Sequence, residues 1–188
     1  MPQWIPGVDA DFVWVVPGLA VGGQPSRQQM GRLHSHGIDA ILSVRAEDDP
    51  EDNPDCARRH GLYYQRVVVA DGTAISQEAL DEITRIVHQW RSAGLGVLIH
   101  CQAGRRRGPI AAAAVLVDEG WSVHDALKRV VAVRKQTAPT PEQLSSLKHF
   151  ALRHFHHRVM SAVSELRRIN TVTVHHRHLP SSHPHLHT

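Results

Sequence analysis

The sequence has no run approaching the eighteen or so uninterrupted apolar residues that a membrane-spanning helix needs, which excludes an integral membrane protein built on such helices. Its start lacks the basic segment followed by a long apolar one that marks a secretory signal, so a cytoplasmic protein is expected. Cysteine is scarce. Cys56 and Cys101 are too few to staple a secreted fold, and a reducing compartment is the expected setting. Charge of one sign is not in large excess either: 21 Lys+Arg against 18 Asp+Glu leave a formal charge of +3. That is too little for a broad nucleic-acid-binding field, so any anion site has to be local and no nucleic-acid partner is expected. No repeat of fixed period is visible.

What is present suits one packed core. The 188 residues are 41% hydrophobic and 21% charged, which fits one globular domain with an appendage. From Phe12 to about Leu152, short β-branched runs alternate with amphipathic stretches, the pattern of an α/β layer fold. Phe12–Val16, Leu19–Val21, Ala40–Val44, Tyr63–Val69 and Val97–Ile99 read as strands. A helix is expected after Ser26, whose hydroxyl can cap it while Gln29 completes a capping box, with its end at Gly37. Further helices are expected near Ala57–His60, from the cap Ser76 to Gly94, from Pro109 to Gly120, from Ser122 through Arg134, and from Thr140-Pro141 onward, the last carrying Leu144, Leu147, Phe150 and Ala151 inward. Trp4, Trp14, Trp90 and Trp121 are expected in the core or at its rim.

Composition changes toward the C-terminus. Ten of the sixteen histidines lie from His149 onward, and beyond Ile169 the chain is rich in His, Pro, Ser and Thr. Burial there cannot offset the entropy of ordering, which predicts a flexible tail. The expected organisation is an N-terminal lead over 1–11, a domain over 12–168 and a His-rich tail over 169–188. The tail has no ligand framework of fixed spacing, so no metal site is expected in it.

The chemistry concentrates after the strand Val97–Ile99, where His100-Cys101-Gln102-Ala103-Gly104-Arg105-Arg106-Arg107-Gly108-Pro109 leads into an apolar helix. A cysteine becomes nucleophilic near neutral pH when its thiolate is stabilised, and a helix N-terminus beside cations is one way to do this. The same strand, loop and helix order can bind phosphate through converging backbone N–H groups. Arg107, six residues after Cys101, can grip two oxygens of a phosphoryl group in the bidentate mode that a guanidinium favours. Asp71 follows the strand Tyr63–Val69 in a loop with Gly72 and can serve as the proton donor to a leaving group. Cys56 is expected to be a bystander.

His100-Cys101, five residues and then Arg107, with Gly104 inside, resembles the signature of cysteine-dependent protein tyrosine phosphatases. The segments DFVWVVPGLAVGGQPS, LHSHGIDAILSVR, VVVADG, GLGVLIHCQAGRRRG and PTPEQLSSL follow the order found in small atypical dual-specificity phosphatases. The resemblance covers about Phe12 to Leu152. It implies a central, mostly parallel sheet of four to five strands flanked by helices, and a two-step reaction through a phosphocysteine without metal or organic cofactor. Cys101 is then the nucleophile, and Arg107 with the amides of Gln102, Ala103, Gly104, Arg105 and Arg106 binds the phosphoryl oxygens. Asp71 is the general acid and later the base, and His100 supports the loop and thiolate. One departure stands out: the family usually has Ser or Thr after the motif arginine, and here Gly108-Pro109 follows, an ending similar to that of rhodanese-related cell-cycle phosphatases. The implied substrate is a phosphorylated protein or small phosphoester, phosphotyrosine first and extending to phosphoserine and phosphothreonine. An inositol-phosphate or phosphoinositide phosphatase, suggested by Arg105 and Arg106, and a phosphate-binding module without turnover are the alternatives. A monomer is the default.

Overall fold

A computed structural model describes residues 10–46 and 54–175. Five strands, β1 (Phe12–Val16), β2 (Leu19–Gly22), β3 (Ala40–Ser43), β4 (Tyr63–Arg66) and β5 (Val97–His100), form one sheet in the order β1-β2-β5-β3-β4. Only the β1–β2 pair is antiparallel; β2 with β5, β5 with β3 and β3 with β4 run parallel. The expected mostly parallel sheet is therefore present, with five strands. Its helices are α1 (Arg27–Leu33), α2 (Pro54–Arg59), α3 (Gln77–Ser92), α4 (Arg107–Asp118), α5 (Val123–Val133) and α6 (Pro141–His175).

Strands β2, β3 and β5 are buried at every position, as strands covered by helices on both faces must be. Side-chain alternation divides them between two cores. Leu19, Val21, Val97 and Ile99 face a large cluster with Leu80, Ile83, Val87 and the Ala-rich α4. Ala20, Ile41 and Leu98 face a smaller one with Met30, Leu33 and Ala57. Helix α4 is buried from Arg107 to Val117, which explains why its sequence is apolar all round instead of amphipathic.

The expected caps form. Ser26 accepts from the Gln29 backbone amide while the Gln29 side chain accepts from the Ser26 amide. Ser76 and Ser122 cap α3 and α5 in the same way through their hydroxyls. Thr140 and Gln143 form the reciprocal pair at α6, and hydrogen bonds from its own backbone and from the Thr140 hydroxyl hold the Glu142 carboxyl below its ordinary range.

Two expectations need correction. The strand expected over Tyr63–Val69 stops at Arg66, because its partner β3 ends at Ser43. Val67 and Val69, past the end of the strand, are buried in the large core, and their amides still donate to Ser43 O at 2.9 Å and Arg45 O at 3.4 Å. Trp121 lies exposed at the α4–α5 turn, whereas Trp90 is buried. Helix α6 runs to His175, and the rest of the tail expected over 169–188 lies outside the described residues. Trp4 and the residues from His176 onward lie outside the described residues.

The chain divides into two compact units, Met1–Ala151 and Leu152–Thr188. The sheet and the residues carrying the motif belong to the first. Among the described residues no helix is long and apolar enough to cross a membrane.

Candidate active site

The carboxyl ends of β2, β5, β3 and β4 lie level, since Gly22 pairs with His100, Ser43 with His100 and Ser43 with Arg66. Ligands of open α/β sheets bind at this end, where loops diverge from adjacent strands. Residues 101–106 leave β5 there and turn into α4.

The cradle is defined by where the loop's carbonyls go. Gln102 O accepts from the Gln24 amide at 2.9 Å, and Arg105 O accepts from the Ala138 amide at 2.7 Å. Between them, Arg134 donates through Nη2 to Ala103 O at 3.0 Å and through Nε to Gly104 O. Arg106 O accepts from Ile110 N within the first turn of α4. Five successive carbonyls are thus held by partners outside the loop or by α4, which leaves the loop amides free to serve an anion.

Gly104 is needed for this course. It has φ +59°, and a Cβ there would collide with the Gly22 backbone and the Arg134 guanidinium. Cys101 is buried at the mouth of α4: a Cβ built on Gly108, in the helix's first turn, would lie 3.7 Å from Cys101 Sγ. His100 is fully buried, with Nδ1 3.3 Å from Cys101 O, in range to donate to it.

Arg107 is 4% exposed and Asp71 lies beside it. Arg107 Nη1 donates to Val69 O at 2.9 Å. Its Nε sits 3.3 Å from Asp71 Oδ1, an ion-pair distance without hydrogen-bond geometry. Arg106 Nη1 approaches Asp71 Oδ2 at 3.7 Å. The residues singled out from the sequence, Cys101, Arg107, Asp71 and His100 with the loop 102–106, are therefore brought to one end of the sheet. Arg105 and Arg106 are exposed on the loop, Arg106 on the side of Asp71. Cys56 packs against the smaller core on the other sheet face, away from the core that includes Cys101.

Sequence reading missed Arg134 and Asp11. Arg134 is 1% exposed, and besides the two loop carbonyls it donates to Asp11 Oδ1 at 3.0 Å and Oδ2 at 2.6 Å, a bidentate pair. The available signal was an arginine at the end of an amphipathic helix, which reads as a solvated helix terminus unless the fold is known. Truncation to Arg134→Met removes the donors to two buried carbonyls. It is expected to cost about 2–3 kcal/mol of stability in urea unfolding, the low side for a buried pair because Asp11 is largely solvated. A loss below about 0.5 kcal/mol, the scale of an ordinary surface substitution, would show that the clamp contributes nothing to the fold.

Among the described residues, no group of three or more His, Cys, Asp or Glu side chains is placed to hold a metal ion. The arrangement can bind a tetrahedral dianion at the loop, present a thiol to its phosphorus and offer a carboxyl from the β4–α3 loop.

Comparison with known proteins points the same way. Residues 20–152 match the family model for the dual specificity phosphatase catalytic domain. Phosphatidylglycerophosphatase and protein-tyrosine phosphatase 1 of Rattus norvegicus is 30% identical over 92 residues, 48% of this chain and 48% of the relative. Dual specificity protein phosphatase 22 of Xenopus tropicalis is 28% identical over 130 residues, 66% of this chain and 57% of the relative. The chain spans about half the length of the first of these relatives. Among solved structures, Tk-PTP in its active form matches with a TM-score of 0.72 at 26% identity, over 80% of this chain and 99% of that one. PTPMT1 in complex with PI(5)P shares the fold, with a TM-score of 0.73 at 19% identity, over 78% of this chain and 98% of that one.

Proposed function

The chain belongs to the dual-specificity phosphatase family, and from that premise we propose that it is a cysteine-dependent phosphatase that hydrolyses phosphotyrosine esters of proteins, and more slowly phosphoserine and phosphothreonine esters, through a phosphocysteine on Cys101. The observation that carries this reading is the loop whose carbonyls from Gln102 to Arg106 are all bonded away from its interior, with Cys101 beneath it and Arg107 at its rim.

In the first step the Cys101 thiolate attacks phosphorus, and the sulfur–phosphorus bond forms as the ester oxygen departs with its electron pair. Asp71 gives that oxygen its proton. The loop amides and Arg107 bind the equatorial oxygens as charge develops on them. In the second step the ionised Asp71 carboxylate takes a proton from water, the water oxygen attacks phosphorus, and Cys101 leaves as thiolate. His100 acts through the loop by its contact with the Cys101 carbonyl, and Arg134 with Asp11 holds the loop from behind. Residues 12–168 form the phosphatase domain in this reading, with the family match at 20–152 inside it.

A second reading has a specific basis. The exposed Arg105 and Arg106 suit a substrate with more than one phosphate, and one relative is named a phosphatidylglycerophosphatase while one structural neighbour is in complex with PI(5)P. The two readings part in a direct comparison of kcat/KM for phosphotyrosyl peptides and for short-chain phosphoinositides. The peptides are expected to be preferred by about tenfold or more, the scale of one added or lost charge-assisted hydrogen bond. A preference of that size for the inositol lipids overturns the protein-substrate reading and leaves the cysteine chemistry standing.

Gly108 supplies a further check. A Cβ there would sit 3.4 Å from Val21 Cγ2 and 3.7 Å from Cys101 Sγ, ordinary contacts, so a serine fits with its hydroxyl near the sulfur. Gly108→Ser is expected to raise steady-state turnover about tenfold where phosphocysteine breakdown limits it, the effect of one hydrogen bond to a departing anion. Rapid-mixing kinetics should show the initial burst of released alcohol shrinking. An unchanged steady state with an unchanged burst removes the missing hydroxyl as a cause of slow breakdown.

A further inference from the structure

The second unit of the chain presents an apolar stripe. On α6, Leu152 and Phe155 are each 67% exposed, and Val159 and Val163 beside them are exposed as well; Met160, also exposed, lies on another face. Such a row of large apolar side chains on one helix is unusual for a solvated face and marks an interaction surface.

The spacing identifies the kind of partner. Leu152, Phe155, Val159 and Ala162 follow one another by three, four and three residues, and the sequence continues that alternation with Leu166 and Ile169. Alternating steps of three and four form a coiled-coil seam, with 152, 159 and 166 at a and 155, 162 and 169 at d. The flanking charges then fall on one edge: Arg158 and Glu165 both occupy g, one heptad apart and opposite in sign. In an antiparallel pair of identical helices g faces g, so a two-fold axis crossing the helix between 160 and 161 sets Arg158 of each copy against Glu165 of the other. The same axis sets Val159 against Ala162. In a parallel pair g faces e, and Arg158 would face the uncharged Val163 of the other copy.

We propose that this helix face binds a second copy of the chain as an antiparallel two-helix coiled coil, making the protein a weak homodimer through α6. The self-complementary edge is the reason to prefer a copy over an anionic lipid surface, for which flanking positions carry cations alone and Glu165 would be repelled. A two-helix seam of this length buries an area at the low end for specific association, which places the dissociation constant at about micromolar.

Sedimentation equilibrium of the full chain at several concentrations tests this. The wild-type chain should fit a monomer–dimer equilibrium, and Phe155→Glu should weaken association by about a hundredfold through the buried charge. Arg158→Glu should weaken it about tenfold by setting like charges opposite, and Arg158→Glu combined with Glu165→Arg should restore the wild-type constant. Hydrolysis of an aryl phosphate at the wild-type rate, measured well below the dissociation constant, shows that each variant is folded. A strictly monomeric wild-type chain at about 100 µM, well above the expected constant, overturns the proposal. So does a double variant no tighter than the single charge reversal. A monomer that sediments with phosphatidylserine vesicles and not with itself overturns it in favour of a lipid surface.

Discussion

Cys101→Ser is expected to abolish phosphate release, with a loss of about 10⁴-fold or more, because serine keeps the shape of the buried side chain but is not ionised at neutral pH. Release of inorganic phosphate from an aryl phosphate measures it. The substitution leaves the carbonyl anchors at Gln24, Arg134 and Ala138 in place, so the loop should still bind phosphate. The variant should accordingly retain a phosphotyrosyl peptide that it cannot turn over. Residual hydrolysis within tenfold of the wild-type rate would assign the reaction to another nucleophile. Loss of both turnover and phosphate binding would indicate that the serine had disturbed the loop instead.

Asp71→Asn should have the next largest effect, and that effect should depend on the leaving group. An alkoxide departing from phosphoserine needs a proton in the transition state, so removing the acid should slow that substrate by about 10²–10⁴-fold. A nitrophenolate departs without help and should lose far less. The geometry behind this is the approach of Asp71 to Arg107 Nε at 3.3 Å, which brings the β4–α3 loop across the end of β3 to the first turn of α4. A ladder of esters with leaving groups of graded basicity measures the dependence: the slope of rate against leaving-group pKa should steepen in the variant. Equal losses along the ladder would mean that Asp71 only holds Arg107.

The element pattern was readable from the chain because it rests on local chemistry. Serine caps, glycine stops and apolar periodicity act within a few residues, so the starts of α1, α3 and α5 follow from Ser26, Ser76 and Ser122. Val67 and Val69 show the limit of that reading. A β-branched run is equally suited to pairing and to burial, and these two residues do both, donating to Ser43 O and Arg45 O while packing into the large core.

The site divides along the same line. Cys101, the loop and Arg107 sit within seven consecutive positions, so their chemistry is written in the sequence. Asp71 could be named as a candidate acid from its loop, but β3 lies between β4 and β5, and only the assembled sheet brings that loop to Arg107. Arg134 and Asp11 are separated by 123 residues and meet only in the folded chain. Neighbouring residues along the backbone are confined by covalent geometry, whereas groups far apart in sequence come together only when burial of the two sheet faces repays the entropy of closing the chain between them.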